Sequence, residues 1–239
     1  MRQQPIGSVS DASGTHVADA APAAPAGSRW WAYTAIVAHI AFVVSWLVAA
    51  SWQGPRYSVL KHAISDLYAV GAPHGMFVIV VTTCAGAAAL IFTWRSLRPS
   101  LRPGGWPATT ALVLLSLSII GIGDLLSPWE REACRQADPG CSVQDQVANA
   151  GGRLDGNLST VGVVLLIASA FFLAAAMKRI PEWRSWARPT RWTAFVLVVL
   201  MVAIPLSGPA GLDGLFERLL AGVGAAGVVA LGIGVLRRS

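Results

Sequence analysis

Residues Trp30–Ser51 read WWAYTAIVAHIAFVVSWLVAAS and contain no aspartate, glutamate, lysine or arginine. A helix of about 20 apolar residues is long enough to cross the ~30 Å hydrocarbon core of a bilayer. Tryptophans stand at both ends of the stretch, where their amphipathic rings favour the membrane–water interface. This stretch decides the fold class, because five further apolar runs along the chain have a similar composition.

The composition of the 239-residue chain agrees with a membrane protein. It is 54% hydrophobic and only 13% charged, whereas a soluble domain carries roughly 25% charged residues. Six spans are predicted: Trp30–Ser51, Pro73–Trp94, Trp106–Leu126, Leu158–Met177, Trp192–Ser207 and Leu215–Leu236. The sequence therefore predicts an all-α fold, a polytopic transmembrane bundle of six helices over residues 30–236.

The first 29 residues differ from the rest of the chain. They are rich in alanine, proline, serine and glycine and show no apolar periodicity. Such a segment cannot bury enough surface to offset the entropy of ordering, so residues 1–29 are predicted to be a disordered cytoplasmic tail. It does not resemble a signal peptide, because the small residues precede the apolar run instead of following it.

Basic residues predict the orientation. With the N-terminus in the cytoplasm, twelve of the 18 lysines and arginines fall on the cytoplasmic side and six on the other. The positive-inside rule then favours a multi-pass protein of the plasma membrane with both termini in the cytoplasm. This rule also accounts for the net charge of +6, so no nucleic-acid partner is expected; membrane lipids are the expected partners.

Two cysteines lie in the loop between the third and fourth predicted spans. Cys134 and Cys141 flank a turn sequence, Asp-Pro-Gly, and could form a disulfide in an oxidising compartment. The alternative is a pair of free thiols. A zinc site is not expected, because neither a CxxC motif nor clustered histidines accompany them.

Acidic residues gather on the side opposite the predicted cytoplasmic face. Four stand at span ends, namely Asp66, Asp124, Asp155 and Glu217. An ionised aspartate at the centre of a spanning helix costs about 2.5–3.5 kcal/mol. Asp124 follows an unbroken apolar run, so we expect it to face the bundle interior and either pair with a cation or share a proton. The cations available on that side are Arg56, Lys61, Arg153 and Arg218.

The stretch Leu60–Pro73, LKHAISDLYAVGAP, places a histidine and an aspartate four residues apart. If residues 60–68 are helical, His62 and Asp66 share one face, about 6 Å apart at Cβ. An aspartate that orients a histidine raises its basicity. Alternatively, Ser65 or Asp66 caps the second span. Within the first span, His39 is expected to make a hydrogen bond inside the bundle.

Three segments in order, HAISDLYAVGAP, DPGC and GLFERLL, resemble the bacterial membrane-protein family called domain of unknown function 998. The resemblance covers roughly residues 30–236. Its most specific element, SDL-x-x-x-G-x-P, falls on Ser65, Asp66, Leu67, Gly71 and Pro73. It implies a six-span protein with no established activity, distantly similar to the eukaryotic Frag1-like membrane proteins. Many family members carry a histidine near the start of the fourth span, where this chain has Asp155.

Three functions are compatible with these residues. The first is an intramembrane enzyme acting on a lipid or isoprenoid. Its candidate catalytic cluster is His62, Ser65, Asp66, Asp124 and Asp155, with the last two handling a proton or a divalent ion. The second is a proton-coupled transporter or binding protein for a small solute. The third is a structural assembly partner. The sequence assigns no metal, cofactor, substrate, protein partner or oligomeric state.

Overall fold

The computed structural model describes residues 28–238. The predicted disordered tail, residues 1–29, therefore lies outside the described residues, apart from Ser28 and Arg29, which begin the first helix.

Six helices in the described part of the chain are long and apolar enough to cross a membrane. The main α-helical segments of these spans are α1 Ser28–Ala50, α2 Gly75–Phe92, α3 Trp106–Leu117, α4 Ala150–Met177, α5 Arg184–Ser207 and α6 Asp213–Leu236. The α2 helix continues through a π-helical turn, Thr93–Leu97, into Arg98–Leu101. The predicted all-α six-span fold is confirmed.

The six helices form a ring in chain order. Helix α1 packs on α2, α3 on α4, α4 on α5 and α5 on α6, and α6 closes the ring by packing on α1, whereas α2 meets the third span through residues 119–126. The π-helical turn after α2 contacts both α1 and α6 and so narrows the ring at the end where α1 begins and α6 ends. The other end, which carries residues 51–74, 127–149 and 208–212, is called the loop end here.

The predicted bounds of the fourth and fifth spans are too short at their N-termini. Helix α4 begins eight residues before Leu158, because the Asn149 side chain caps it by accepting a hydrogen bond from Gly152 N at 2.6 Å. Helix α5 begins eight residues before Trp192, since its first two turns are polar and lie beyond the apolar run. Both helices therefore begin before the apolar runs from which these spans are predicted.

The third span is broken near its loop end. Helix α3 stops at Leu117, and Ser118 adopts an extended backbone with ψ 175°. A π-helical turn, Ile119–Gly123, and a short helix, Asp124–Leu126, complete the crossing. Breaks of this kind are frequent at functional sites. Here the break directly precedes Asp124.

The long loop between α3 and α4 folds over the loop end. A disulfide joins Cys134 to Cys141, the pairing that the loop sequence suggests. Backbone and side-chain hydrogen bonds tie this loop to the segment before α2: Val70 N donates to Glu132 O at 2.9 Å, and Arg131 donates to the carbonyls of Tyr68 and Ala69 at 3.1 and 3.2 Å. The two segments together form a cap over the ring.

Candidate functional site

A cavity of about 550 Å³ lies inside the ring, beneath this cap. All six spans contribute to its wall, the third through Ile119, Ile120 and Asp124 beyond the end of α3, and the two cap segments supply the rest. One part of the wall is aliphatic or aromatic, with Phe42, Ile119, Val163, Met201 and Leu220 among its residues. The cavity is thus a product of the ring architecture, not a cleft between two elements.

The opposite part of the wall carries five carboxylic acids: Asp124, Glu130, Glu132, Asp155 and Glu217. They come from the short helix after the π-helical turn in the third span, from the cap, and from the second turns of α4 and α6. Within residues 28–238, no lysine or arginine side chain lines the cavity. The cavity is therefore amphipathic, with an acidic end toward the loop end and an apolar end toward the membrane interior.

Hydrogen bonds hold three of these carboxyl groups in place. The Tyr68 hydroxyl donates to Asp155 Oδ1 at 3.3 Å. Glu132 accepts from the Ser65 hydroxyl at 3.1 Å and from Gln146 Nε2 at 2.9 Å. Glu217 Oε1 accepts from the backbone N–H of Ile64 at 3.0 Å. These bonds fix the acidic end of the cavity before any ligand arrives.

Other polar atoms of the cavity wall are buried without a hydrogen-bond partner in the described part of the protein. They include His39 Nε2, Thr82 Oγ1 and Glu130 Oε1. Buried polar groups are nearly always hydrogen-bonded, and exceptions call for an explanation. The His39 ring uses Nδ1 on the carbonyl of Ala35 at 2.8 Å, the expected bond inside the bundle, and its Nε2 is buried without a partner among the described residues.

Burial sets the protonation of the acids that the cap contributes. Burial raises the pKa of Glu132 to about 8, and the nearby negative charge of Asp155 adds to this effect. Burial likewise raises the pKa of Glu130 to about 8, with a further contribution from Asp124. The pKa of the Tyr68 hydroxyl is also raised, first by burial and then by Asp155. Both glutamates therefore exchange protons near neutral pH, which suits acid–base chemistry.

These shifts predict a pH dependence of stability. Because folded Glu132 holds its proton up to a pKa of about 8 while the unfolded group releases it near 4.5, the free energy of unfolding falls as pH rises between these values. One such proton contributes up to ~1.4 kcal/mol per pH unit. We expect Glu132→Gln to show a smaller decline than the wild type when thermal unfolding is followed from pH 5 to pH 8. The exposed Glu182→Gln is the matched control; parallel curves for wild type and Glu132→Gln would contradict the assignment.

The structure brings Ser65, Asp124 and Asp155 of the predicted cluster to the cavity wall, but not His62 and Asp66. The His62–Asp66 pairing required a helix over residues 60–68, and only Ser65–Leu67 is helical, as a single 3₁₀ turn. The condition for that pairing, a helix over residues 60–68, is therefore not met. The catalytic role of the five residues stays a prediction.

His62 and Asp66 instead bond to neighbouring loop backbone. His62 Nδ1 accepts from the N–H of Ser58 at 3.0 Å, and burial lowers the pKa of its ring. Asp66 Oδ1 accepts from the N–H of Gln136, beside the disulfide, at 2.5 Å. Burial raises the pKa of Asp66, although this hydrogen bond opposes the shift. Asp66 thus anchors the disulfide loop to the segment before α2.

Two other expectations are corrected. Neither Ser65 nor Asp66 caps the second span, because α2 begins only at Gly75 and follows His74, which makes no side-chain cap. Asp124 lines the cavity inside the ring, but it has no cationic partner, because the ion pair present in residues 28–238 joins Arg135 to Asp138 at 3.7 Å. The alternative, that Asp124 shares a proton, stays a prediction.

Arg218, one of the cations considered for Asp124, is bonded elsewhere. Its Nη1 donates to the carbonyls of Val59, His62 and Gly214 at 2.9, 2.6 and 2.9 Å. It also bonds the Tyr57 hydroxyl. This guanidinium therefore ties the cap to α6 and, in the described structure, forms no ion pair with the acids of the cavity.

Several cavity residues are absent from the sequence-based cluster: Glu130, Glu132, Glu217, Tyr68 and His39. Glu217 had a signal, since it stands at the start of an apolar run. Glu130 and Glu132 lie in a polar stretch that reads as an ordinary loop, and nothing local indicates that they are buried. Within the described residues, no group of three or more histidine, cysteine, aspartate or glutamate side chains is arranged to hold a metal ion.

These features define a class: a multi-pass membrane protein whose ring of helices encloses a carboxyl-lined cavity. The chain belongs to the family described as Protein of unknown function (DUF998), whose model matches residues 36–234. No curated protein matches the chain. No solved structure matches it.

Proposed function

We propose that the cavity binds an amphipathic lipid or isoprenoid and that the protein is an enzyme performing acid–base chemistry on its polar end. The observation that supports this most strongly is a single cavity whose wall combines five carboxyl groups near the loop end with many aliphatic side chains. Ligand sites are mostly apolar with a few polar groups that fix orientation. A molecule with a hydrocarbon chain and a small polar head matches both ends at once.

The acidic end favours a particular kind of head group. With no lysine or arginine in the described cavity wall, a free phosphate would lack any opposite charge. Hydroxyl or amine groups suit carboxyl acceptors better. We assign the general acid or base to Asp155, which is 8% exposed and held by Tyr68. Ser65 and Glu132 would bind the head group, and Glu130 and Asp124 would exchange the proton.

A lateral opening supports a substrate taken from the bilayer. Thr160 of α4 and Pro205 of α5 both line the cavity and are exposed on the outer surface of the ring. Helix α5 is the least enclosed span, with 17% of its apolar window buried against 39% to 50% for the others. Pro205 lies inside this helix, where it removes a backbone hydrogen bond and favours a bend. A lipid chain would enter between α4 and α5.

Mass spectrometry of the purified protein tests this proposal. We expect wild-type protein in mild detergent to retain a hydrocarbon-chain lipid, and Thr160→Trp, which places a large ring at the opening, to retain at least about tenfold less, equivalent to ~1.4 kcal/mol. Val161→Trp is the matched control, because Val161 is 55% exposed on the same helix but does not line the cavity. Equal lipid retention in all three proteins would overturn the proposed route, and no retained lipid in wild type would overturn the proposed function.

A second candidate is proton-coupled movement of a small solute. The observation in its favour is the group of cavity carboxyls that form no ion pair within residues 28–238, because intramembrane acids are common in proton relays. Proteoliposomes containing a pH-sensitive dye distinguish it from the enzyme. Solute-dependent proton flux that Asp124→Asn abolishes would favour transport.

We also propose that the protein lies in the plasma membrane with both termini in the cytoplasm. The distribution of its lysines and arginines supports this orientation. The disulfide at the loop end supports it independently, because such bonds persist in oxidising compartments. The acidic end of the cavity would then lie in the outer leaflet.

A further inference from the structure

A second, smaller cavity of about 120 Å³ lies between α4, α5 and α6, closer to the end of the ring that carries the termini. Its wall includes Leu115, Leu173, Leu197, Val228 and Leu231. None of the residues lining it in the described structure is charged. Nothing in the acid–base site described above uses this space.

The hydroxyl groups in this wall are turned to other partners. Ser169 donates to the carbonyl of Ala111 at 3.0 Å, and Thr193 donates to that of Pro189 at 3.2 Å. Thr190 lies 3.3 Å from the sulfur of Met177. With these groups satisfied, the cavity offers an occupant mainly hydrocarbon surface.

The two cavities meet at Leu166 and Gly224, which line both of them. A Cβ at Gly224 would lie 2.9 Å from Ile120 Cδ1 and 3.4 Å from Leu166 Cδ2. The ends of the flexible Ile120 and Leu166 side chains therefore fill the space beside Gly224, where the acidic cavity and the apolar one adjoin. A chain that enters the first cavity extends into the second when these two side chains rotate aside.

The combined length of the two cavities constrains that chain. Along α4 they extend from Asp155 to Leu173, which at 1.5 Å per residue is about 27 Å. One leaflet supplies about half of the ~30 Å hydrocarbon core. The far end of the second cavity therefore lies beyond the bilayer midplane as seen from the acidic end.

We propose that the smaller cavity binds the distal part of a single hydrocarbon chain, so that the protein selects lipids or isoprenoids whose chain reaches past the midplane. This inference rests on the proposed function, because it takes the polar head of the same molecule to lie at the carboxyl cluster. It adds a chain-length requirement that the acidic site alone does not impose.

Two glycines on α6 provide a matched test. A Cβ at Gly227 or at Gly222 would meet no atom within 4 Å, so the first carbon of a leucine side chain fits at either position. Gly227 lines the smaller cavity, whereas Gly222 lines neither. Ala230→Phe, from the wall of the same cavity, is a second blocking variant.

The measurement is the hydrocarbon chain length of the lipids extracted from each purified full-length protein. We expect Gly227→Leu and Ala230→Phe to lower the share of long chains roughly tenfold, the effect of losing two buried methylene groups. Gly222→Leu should match the wild type. Wild-type chain lengths in both blocking variants would overturn this inference while leaving the proposed function intact. A wild-type protein without any bound chain would instead overturn the proposed function, and this inference with it.

Discussion

Replacing Gly86 with alanine is expected to destabilise the folded protein by about 3 kcal/mol, at the upper end of the usual cost of overpacking. A Cβ at this position would lie 2.4 Å from Leu125 N, 2.8 Å from Gly121 O and 2.9 Å from the carbonyl carbon of Asp124. All three are backbone atoms, which cannot rotate away as a flexible side chain can. The α2 helix approaches the third span this closely at the break that places Asp124 in the cavity.

Thermal unfolding in detergent measures this effect. A loss of about 3 kcal/mol corresponds to a fall in Tm of roughly 6–12 °C for a chain of this size. Gly222→Ala is the control, because alanine there meets open space and is a better helix former than glycine. If Gly86→Ala and Gly222→Ala unfolded at the same temperature, the close approach of α2 to the third span would not be required for stability.

Replacing Asp155 with asparagine should abolish activity and leave the fold intact. Asparagine has nearly the same shape and can still accept the hydrogen bond of the Tyr68 hydroxyl, but its amide cannot give or take a proton at neutral pH. Loss of a general acid or base costs about 10²–10⁴-fold in rate. The lipid substrate would then accumulate to the level that it reaches in cells without the protein.

The lipid and isoprenoid profile of a strain lacking the protein provides the readout. We expect the deletion to change this profile, wild type and Asp138→Asn to restore it, and Asp155→Asn to leave it changed. Asp138 is a half-exposed loop acid that does not line the cavity, which makes it a suitable control. The yield of folded Asp155→Asn must equal that of the wild type. A lower yield would indicate that Asp155 has a structural role. An unchanged profile in the deletion strain would contradict an enzymatic role on lipids.

The sequence predicts the features that depend on local composition. Apolar runs identify all six spans, since each run must be long enough to cross a bilayer. Isolated acids at the ends of these runs identify Asp124 and Asp155 as interior residues, because lipid contact would be costly for them. The turn between Cys134 and Cys141 brings them into range of a disulfide, as the structure has them.

Features that depend on tertiary contacts are not predictable in this way. The backbone of the segment before α2 bonds to the disulfide loop and to Arg218, so His62 and Asp66 do not form the helical pair that their spacing suggests. The same loop carries Glu130 and Glu132 into the cavity, although their polar neighbours in sequence resemble a solvent-exposed loop. The break of the third span at Ser118 lies within a continuous apolar run and leaves no local signal.

The most direct test of the account is an experimental structure of the full-length protein in a lipid environment. We expect elongated density within the ring, with its polar end in hydrogen-bonding distance of Asp155 and Glu130. Its hydrocarbon end should pass Ile119 and Gly224 into the second cavity. A central cavity that contains only ordered water or a small solute, with all lipid chains outside the ring, would contradict the proposal that the protein binds and acts on a lipid.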